Sequence, residues 1–250
     1  MTAATDAAIT KPLFQTLWLG DSQELVEQIP DGMVDCVITD PPYGSNNQSK
    51  MAVTKAGKEY ARTIEGDLTP EQATFLFKEV FYALMPKLKK DGCVDIYVFT
   101  SYQVMKDWVF LCDGYFKPFG FERKAIIPWE KDGPGMGDLD VPWGMGIEFV
   151  LFYRRGNMPL KIPRRNGVIH IPQIPPGKLL HPHEKPQPLL ELFIKASTDP
   201  CDFIVDPFSG SASLARAARS TGRSALCIEK DPHNHKIAER AFHESGHGLF

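Results

Sequence analysis

Cysteine does little in this chain of 250 residues. The five cysteines, Cys36, Cys93, Cys112, Cys201 and Cys227, are scattered, and no two of them form a CxxC pair. A disulfide framework and a zinc site are therefore not expected. Cys36, Cys93 and Cys227 lie in or beside strand-like runs, where a reduced thiol serves as a small hydrophobe. His181 with His183 and His233 with His235 lack the accompanying acid or cysteine spacing of metal ligands. No apolar run approaches the length of a membrane-spanning helix, and the start, MTAATDAAITKPLF, lacks the basic-then-apolar layout of a signal peptide. A cytoplasmic protein without membrane or metal is expected. Internal repeats and low-complexity tracts are missing too. The net charge of −3 argues against a protein that coats nucleic acid through its overall field.

What is present is an alternation of β-type and helix-type segments. Strands are predicted at Thr16–Leu19, Val34–Thr39, Val94–Thr100, Arg123–Pro128, Glu148–Tyr153, Phe203–Asp206 and Ala225–Glu229. The clearest helix begins in LTPEQATFLFKEVFYALMPKLKK: Thr69 caps it, Pro70 suits its first turn and Gln72 completes a capping box. Further helices are predicted after Pro186 or Pro188, near Ser211–Ser220 and over roughly His233–Glu244. This order points to an α/β protein with a mostly parallel sheet covered on both faces, spanning 1–250 as one domain. The polar stretch after Tyr43, GSNNQSKMAVTKAGKEYARTIEGD, reads as a loop over a crevice. Residues 154–180 are proline-rich and basic and read as an insert at the sheet's edge. From Phe149 to Leu180 there are six basic residues and no acid.

Two strand ends carry chemistry. In VDCVITDPPYG the apolar run stops at Asp40, Pro41, Pro42 and Tyr43, because proline cannot donate to a sheet ladder. An acid at a strand's C-terminal end usually faces a crevice. In FIVDPFSGSASLARAARSTG an acid leads into a Gly/Ser turn and an Ala-rich helix, whose small residues let a ligand approach the backbone and the free N–H groups. Glu229 ends the next strand about twenty residues later, an offset at which an acid commonly accepts hydrogen bonds from ribose hydroxyls. An adenosine-containing cofactor is implied. The turn carries neither the GxGxxG of nicotinamide enzymes nor the GxxxxGK[ST] of nucleotide hydrolases.

DPPY at 40–43, HPHEKP at 181–186 and DPFSGSAS at 206–213, in that order, resemble the β-arrangement DNA amino-methyltransferases, which methylate exocyclic amines using S-adenosylmethionine. The resemblance spans about Leu17 to Glu244. It implies a Rossmann-like methyltransferase fold, a seven-stranded sheet with one antiparallel strand, in which the catalytic half precedes the cofactor half. It also implies adenine-N6 methylation, because aspartate opens the DPPY motif. Cytosine-N4 methylation is the alternative, as is a non-catalytic DNA-binding subunit that keeps the fold. By the same resemblance Asp206, Phe208, Ser209, Gly210 and Ser211 surround the methionine part of the cofactor, and Glu229 takes its ribose. Asp21 lies beside its adenine, and Lys185 pairs with its carboxylate. His183 and Ala212 depart from the residues usual in the family.

The corner can be read physically. An exocyclic amine is a poor nucleophile because its lone pair is delocalised into the ring. The Asp40 carboxylate and the Pro41 carbonyl, gripping its two N–H bonds, localise and aim that pair; Pro42 fixes the turn, and Tyr43 offers a flat face to a flipped base. Transfer from a sulfonium is an in-line displacement that needs positioning more than acid–base chemistry. The partner that the resemblance implies is double-stranded DNA. Arg154, Arg155, Lys161, Arg164 and Arg165 of the insert are the candidate phosphate contacts, with Lys50, Lys55, Lys58 and Arg62 closing over the flipped nucleotide. The insert is short, so base readout is limited or shared with a second copy in a homodimer.

Overall fold

The computed structural model describes residues 13–44, 68–133, 144, 146–181 and 184–244. Lys50, Lys55, Lys58, Arg62 and His183 lie outside the described residues. The strands are β1 (Gln15–Leu19), β2 (Cys36–Thr39), β3 (Val94–Thr100), β4 (Glu122–Glu130), β5 (Ile147–Arg155), β6 (Ile169–His170), β7 (Phe203–Asp206) and β8 (Ser224–Glu229). The α-helices are α1 (Ser22–Leu25), α2 (Pro70–Leu84), α3 (Met105–Phe116), α4 (Gln187–Ser197), α5 (Ser213–Ser220) and α6 (Pro232–Glu244).

The eight strands form one sheet in the order β1-β8-β7-β2-β3-β5-β4-β6. β5 runs antiparallel to both β3 and β4, and every other neighbouring pair is parallel. The expected seven strands and single antiparallel strand are there, and the two-residue β6 adds an eighth at the edge. α1 and α3 also went unpredicted. α1 is a single turn, and α3 begins without a side-chain cap at Val104 and has Gly114 within it, so the usual start signals are missing.

Successive side chains of a strand face opposite sides, and this splits the core in two. On one face Val37, Ile96, Val98, Val205 and Ile228 pack against Phe77, Phe81 and Leu84 of α2 and Trp108, Cys112 and Phe116 of α3. On the other, Cys36, Ile38, Tyr97, Phe99, Ile204 and Cys227 pack against α4, α5 and α6. The capping box at Thr69 and Gln72 forms as the spacing predicts.

The order in which strands are added to the sheet reverses between the parallel neighbours β2 and β7. From β2 the chain passes through α2 to β3 on one side; from β7 it passes through α5 to β8 on the other. The backbones of neighbouring connections diverge at such a point and leave a crevice at the strands' C-terminal ends. Asp40 follows β2 directly and Asp206 ends β7, so the two acids flank the crevice.

The register corrects part of the basic insert. Arg154 stands opposite Asp95 on β3, and its guanidinium grips both carboxylate oxygens at 2.6 and 2.5 Å. The two side chains are only 9% and 2% exposed, so Arg154 is a cross-strand ion pair and not a phosphate contact. Arg155 donates to the Lys89 carbonyl at 2.6 Å and lies 4.8 Å over the Phe121 ring. Both belong to β5 rather than to an insert. Removing one partner of a buried pair strands the other charge. Arg154→Met should therefore lose roughly 3–5 kcal/mol in urea unfolding, and Asp95→Asn in the same background should recover part of it. The salt dependence of DNA binding should not change.

Candidate active site

Pro41 and Pro42 end the β2 ladder and leave Asp40 at the crevice floor, partly exposed. The Tyr43 hydroxyl donates to Asp40 Oδ1. Its ring meets Trp108 edge-on, with centroids 5.6 Å apart. Burial, then the Asp40 and Glu148 charges, push the Tyr43 phenol well above its ordinary range, so it remains a donor. Gly44 has φ +66°, and a Cβ there would lie 2.5 Å from the Pro70 Cα; the chain leaving the corner is pressed against the start of α2.

The other oxygen, Asp40 Oδ2, accepts from the Lys185 ammonium. Lys185 also lies 3.4 Å from Glu148 and 5.0 Å over the Phe99 ring, and Glu148 in turn accepts from Lys131. Four charges of alternating sign thus run Asp40–Lys185–Glu148–Lys131 across the sheet edge. Burial opposes the charge on Lys185, but Asp40 and Glu148 outweigh it and hold the ammonium protonated above the ordinary lysine range. Burial likewise opposes ionisation of Glu148, and Lys185 with Lys131 still draws its carboxyl below the usual range. The ammonium that the resemblance pairs with a cofactor carboxylate lies here against the Asp40 carboxylate. Glu148 and Lys131 are site residues that the sequence reading missed. β5 is antiparallel, so its first residues lie at the edge where the parallel strands end. An acid just ahead of the apolar run FVLFY was the available signal.

The half expected to hold the cofactor is built from β7, the turn 207–212, and β8. Asp206 Oδ1 accepts from Thr39 Oγ1 at 2.8 Å and from the Phe208 N–H at 3.0 Å, which ties β7 to β2 beside Asp40. Burial pushes the Asp206 carboxyl up to about 7 against those hydrogen bonds, with Asp40 and Glu229 adding to the rise. Gly210 has φ +52°, and a Cβ there would come within 3.4 Å of the His181 ring. Ala212 also adopts the left-handed region, at φ 51°, where glycine is the unstrained choice. Glu229 accepts from the Gly210 N–H and the Asp231 N–H, both at 2.8 Å, and burial raises its carboxyl. Ser209 N–H donates to the Ile228 carbonyl at 3.0 Å.

These residues suit an adenosine-type cofactor. α5 has no side-chain cap, which leaves its first N–H groups to a ligand. Ser211 is 2% exposed, and its hydroxyl has no hydrogen-bond partner among the described residues. Asp21 caps α1 through the Gln23 N–H at 3.0 Å and pairs with Lys230 at 2.7 Å, next to Glu229 through the Gly20 N–H. Glu184 is spent on structure: it pairs with Arg216 of α5 and accepts from the Leu180 N–H at 2.8 Å.

Of the remaining basic candidates, Lys161 pairs with Asp199 and its N–H bonds the Ala196 carbonyl at 2.9 Å, so it tethers the edge segment to α4. Arg164 and Arg165 are exposed.

A family model described as DNA methylase matches residues 34–159 and 163–240. The chain belongs to the N6/N4 DNA methylase family. S-adenosylmethionine is the methyl donor of this family. Type II methyltransferase M2.MboI of Moraxella bovis is 25% identical, over 94% of this chain and 92% of its own. DNA adenine methyltransferase YhdJ of Escherichia coli is 26% identical, over 93% and 84%. Among solved structures, the M1.HpyAVI–SAM complex has a TM-score of 0.68 at 22% identity, covering 92% of this chain and 99% of that one. The cytosine-N4-specific PvuII DNA methyltransferase has a TM-score of 0.66 at 20% identity, over 96% and 91%. Among the described residues no cluster of three or more His, Cys, Asp or Glu is placed to hold a metal, and no helix is long and apolar enough to cross a membrane.

Asp206 gives this methylase a pH signature. Below pH 3.8 folded and unfolded chains both carry its proton; above that the unfolded chain releases it, while the folded one keeps it up to about 7. Stability should fall as pH climbs through this window. Urea midpoints taken across it should show a flatter decline in Asp206→Asn than in wild type. An identical slope in the two would refute the assignment.

Proposed function

We propose that this DNA methylase transfers the methyl group to N6 of adenine in double-stranded DNA. One observation carries the reading: the Asp40 carboxylate is fixed at the crevice floor, with Tyr43 on one oxygen and Lys185 on the other, beside the cofactor turn. Each oxygen keeps a second lone pair, enough for one N–H of an incoming amine. The Pro41 carbonyl takes the other N–H. With both bonds gripped, the nitrogen lone pair is withdrawn from the ring and aimed at the donor. Bound S-adenosylmethionine supplies an electrophilic methyl on a sulfonium. The nitrogen gains that methyl and sheds a proton, for which the Asp40 carboxylate is an acceptor at hand.

The target must leave the duplex to reach this floor. Tyr43, braced by Trp108, offers the base an aromatic wall. Arg164 and Arg165, in the exposed stretch between β5 and β6, take phosphate, and the segment around them is the candidate for target recognition. The adenine relative YhdJ supports N6, as does aspartate at the head of the motif. The PvuII neighbour keeps cytosine-N4 as the second reading.

Digestion of treated DNA to nucleosides, followed by mass spectrometry, should yield N6-methyladenine; N4-methylcytosine alone would overturn the base assignment. Cofactor binding without transfer to any DNA would reveal a non-catalytic subunit. Asp40→Ala should keep its affinity for S-adenosylmethionine and lose roughly a hundred- to a thousand-fold or more in turnover. Arg164→Ala with Arg165→Ala should weaken DNA binding and reduce the salt slope by roughly 0.9 for each phosphate no longer neutralised. An unchanged slope would return both arginines to the status of solvated surface.

A further inference from the structure

Lys185 stands where α4 begins, ahead of Pro186, with both residues buried. Its side chain is 9% exposed, against 19% for Asp40 and 25% for Glu148. Without this ammonium, two carboxylates from different strands would face the same buried space with only Lys131 to balance them. With it, the four charges cancel in pairs.

The geometry does more than neutralise. A carboxylate can swing about its last torsion, and a single hydrogen bond leaves it free to tilt. Asp40 is pinned at both ends, Oδ1 by the Tyr43 hydroxyl and Oδ2 by the Lys185 ammonium, so the plane of its lone pairs is set before any base arrives. Lys185 is in turn fixed by Glu148, whose other partner is Lys131, and by the Phe99 ring beneath it. The positioning chain runs from β4 through β5 to the loop before α4 and ends at the β2 corner.

We propose that Lys185, held by Glu148, is the positioning residue that orients the Asp40 carboxylate for the target amine and is not the partner of the cofactor's carboxylate. This rests on the methyltransfer reading above but not on the identity of the base. Glu148 acts one step further back by aiming Lys185.

The test compares wild type, Lys185→Met, Glu148→Gln, Asp40→Asn and the double variant Asp40→Asn with Lys185→Met. Single-turnover transfer of labelled methyl to DNA is measured at saturating S-adenosylmethionine, and cofactor affinity by calorimetry. Lys185→Met should slow transfer by about a hundred-fold, the scale of losing one preorganised polar group, and leave cofactor affinity within about three-fold. Glu148→Gln, nearly isosteric and the safer fold, should slow transfer in the same sense with cofactor affinity kept. Because Lys185 acts through Asp40, the double variant should be no slower than Asp40→Asn alone.

A Lys185→Met enzyme with normal transfer at saturating cofactor but affinity reduced ten-fold or more would make Lys185 the cofactor's partner and overturn the proposal. Additive losses in the double variant would do the same. If Lys185→Met fails to fold in a thermal melt, Glu148→Gln with wild-type transfer overturns it instead. Methylation of cytosine by wild type would leave this proposal standing while the adenine reading falls; wild type that transfers to no DNA would remove both.

Discussion

A largely buried carboxylate at the C-terminal end of the parallel strands is the constraint from which the rest of this molecule follows. Water would solvate Asp40 better than protein, so its charge needs a partner close by. Lys185 provides one, and Glu148 adds a second negative charge that, with Asp40, outweighs burial and keeps the ammonium protonated. Glu148 and Lys131 complete the series. Each member comes from a different element, and the fold that brings them together is the one in which β5 runs against its neighbours. Were β5 parallel, its first residues would lie at the opposite edge, and Glu148 would have no access to the corner.

The cofactor half meets the catalytic half through one short link. Thr39, the last residue of β2, donates to Asp206, the last residue of β7, across the point where the strand order reverses. The same Asp206 oxygen accepts from the Phe208 N–H and so sets the start of the cofactor turn. A shift of either strand would move the proposed amine acceptor and the proposed cofactor turn relative to one another. In-line displacement tolerates such errors poorly, since most of its acceleration comes from alignment. Gly210 and Ala212, both in the left-handed region, show how tightly that turn is wound to bring backbone N–H groups to the crevice.

Much of this was legible in the residues. Continuous apolar runs such as VDIYVFT mark buried central strands, and β3 and β7 begin and end where the runs do. The capping box at Thr69 and the strand-ending acids at Asp40, Asp206 and Glu229 were equally plain, because each rests on local chemistry. What escaped depends on register. Nothing near Glu148 in sequence announces Lys185, which lies on the far side of the edge segment and reaches it only through the antiparallel pairing. Lys185 itself stands out as a site residue, but its contacts with Asp40 and Glu148 are not written in the motif. A motif reports that a lysine is present, whereas packing decides which carboxylate it meets.

The basic run after β5 carries the same point into energetics. Counted along the chain, Arg154, Arg155, Lys161, Arg164 and Arg165 form one positive block, which suggests one electrostatic surface. The register divides them. Arg154 lies opposite Asp95, so its charge is spent inside the sheet; Arg155 covers Phe121 and caps a carbonyl; Lys161 holds Asp199. A charge already paired with a carboxylate has less net field to offer a phosphate and displaces fewer of the counterions condensed on DNA. Arg164 and Arg165 stand exposed and outside these pairings, in the stretch between β5 and β6. The structural arginines hold the edge segment in place so that these two are presented from a firm base. In the proposed function the phosphate contact that the sequence spreads over five side chains thereby falls to two.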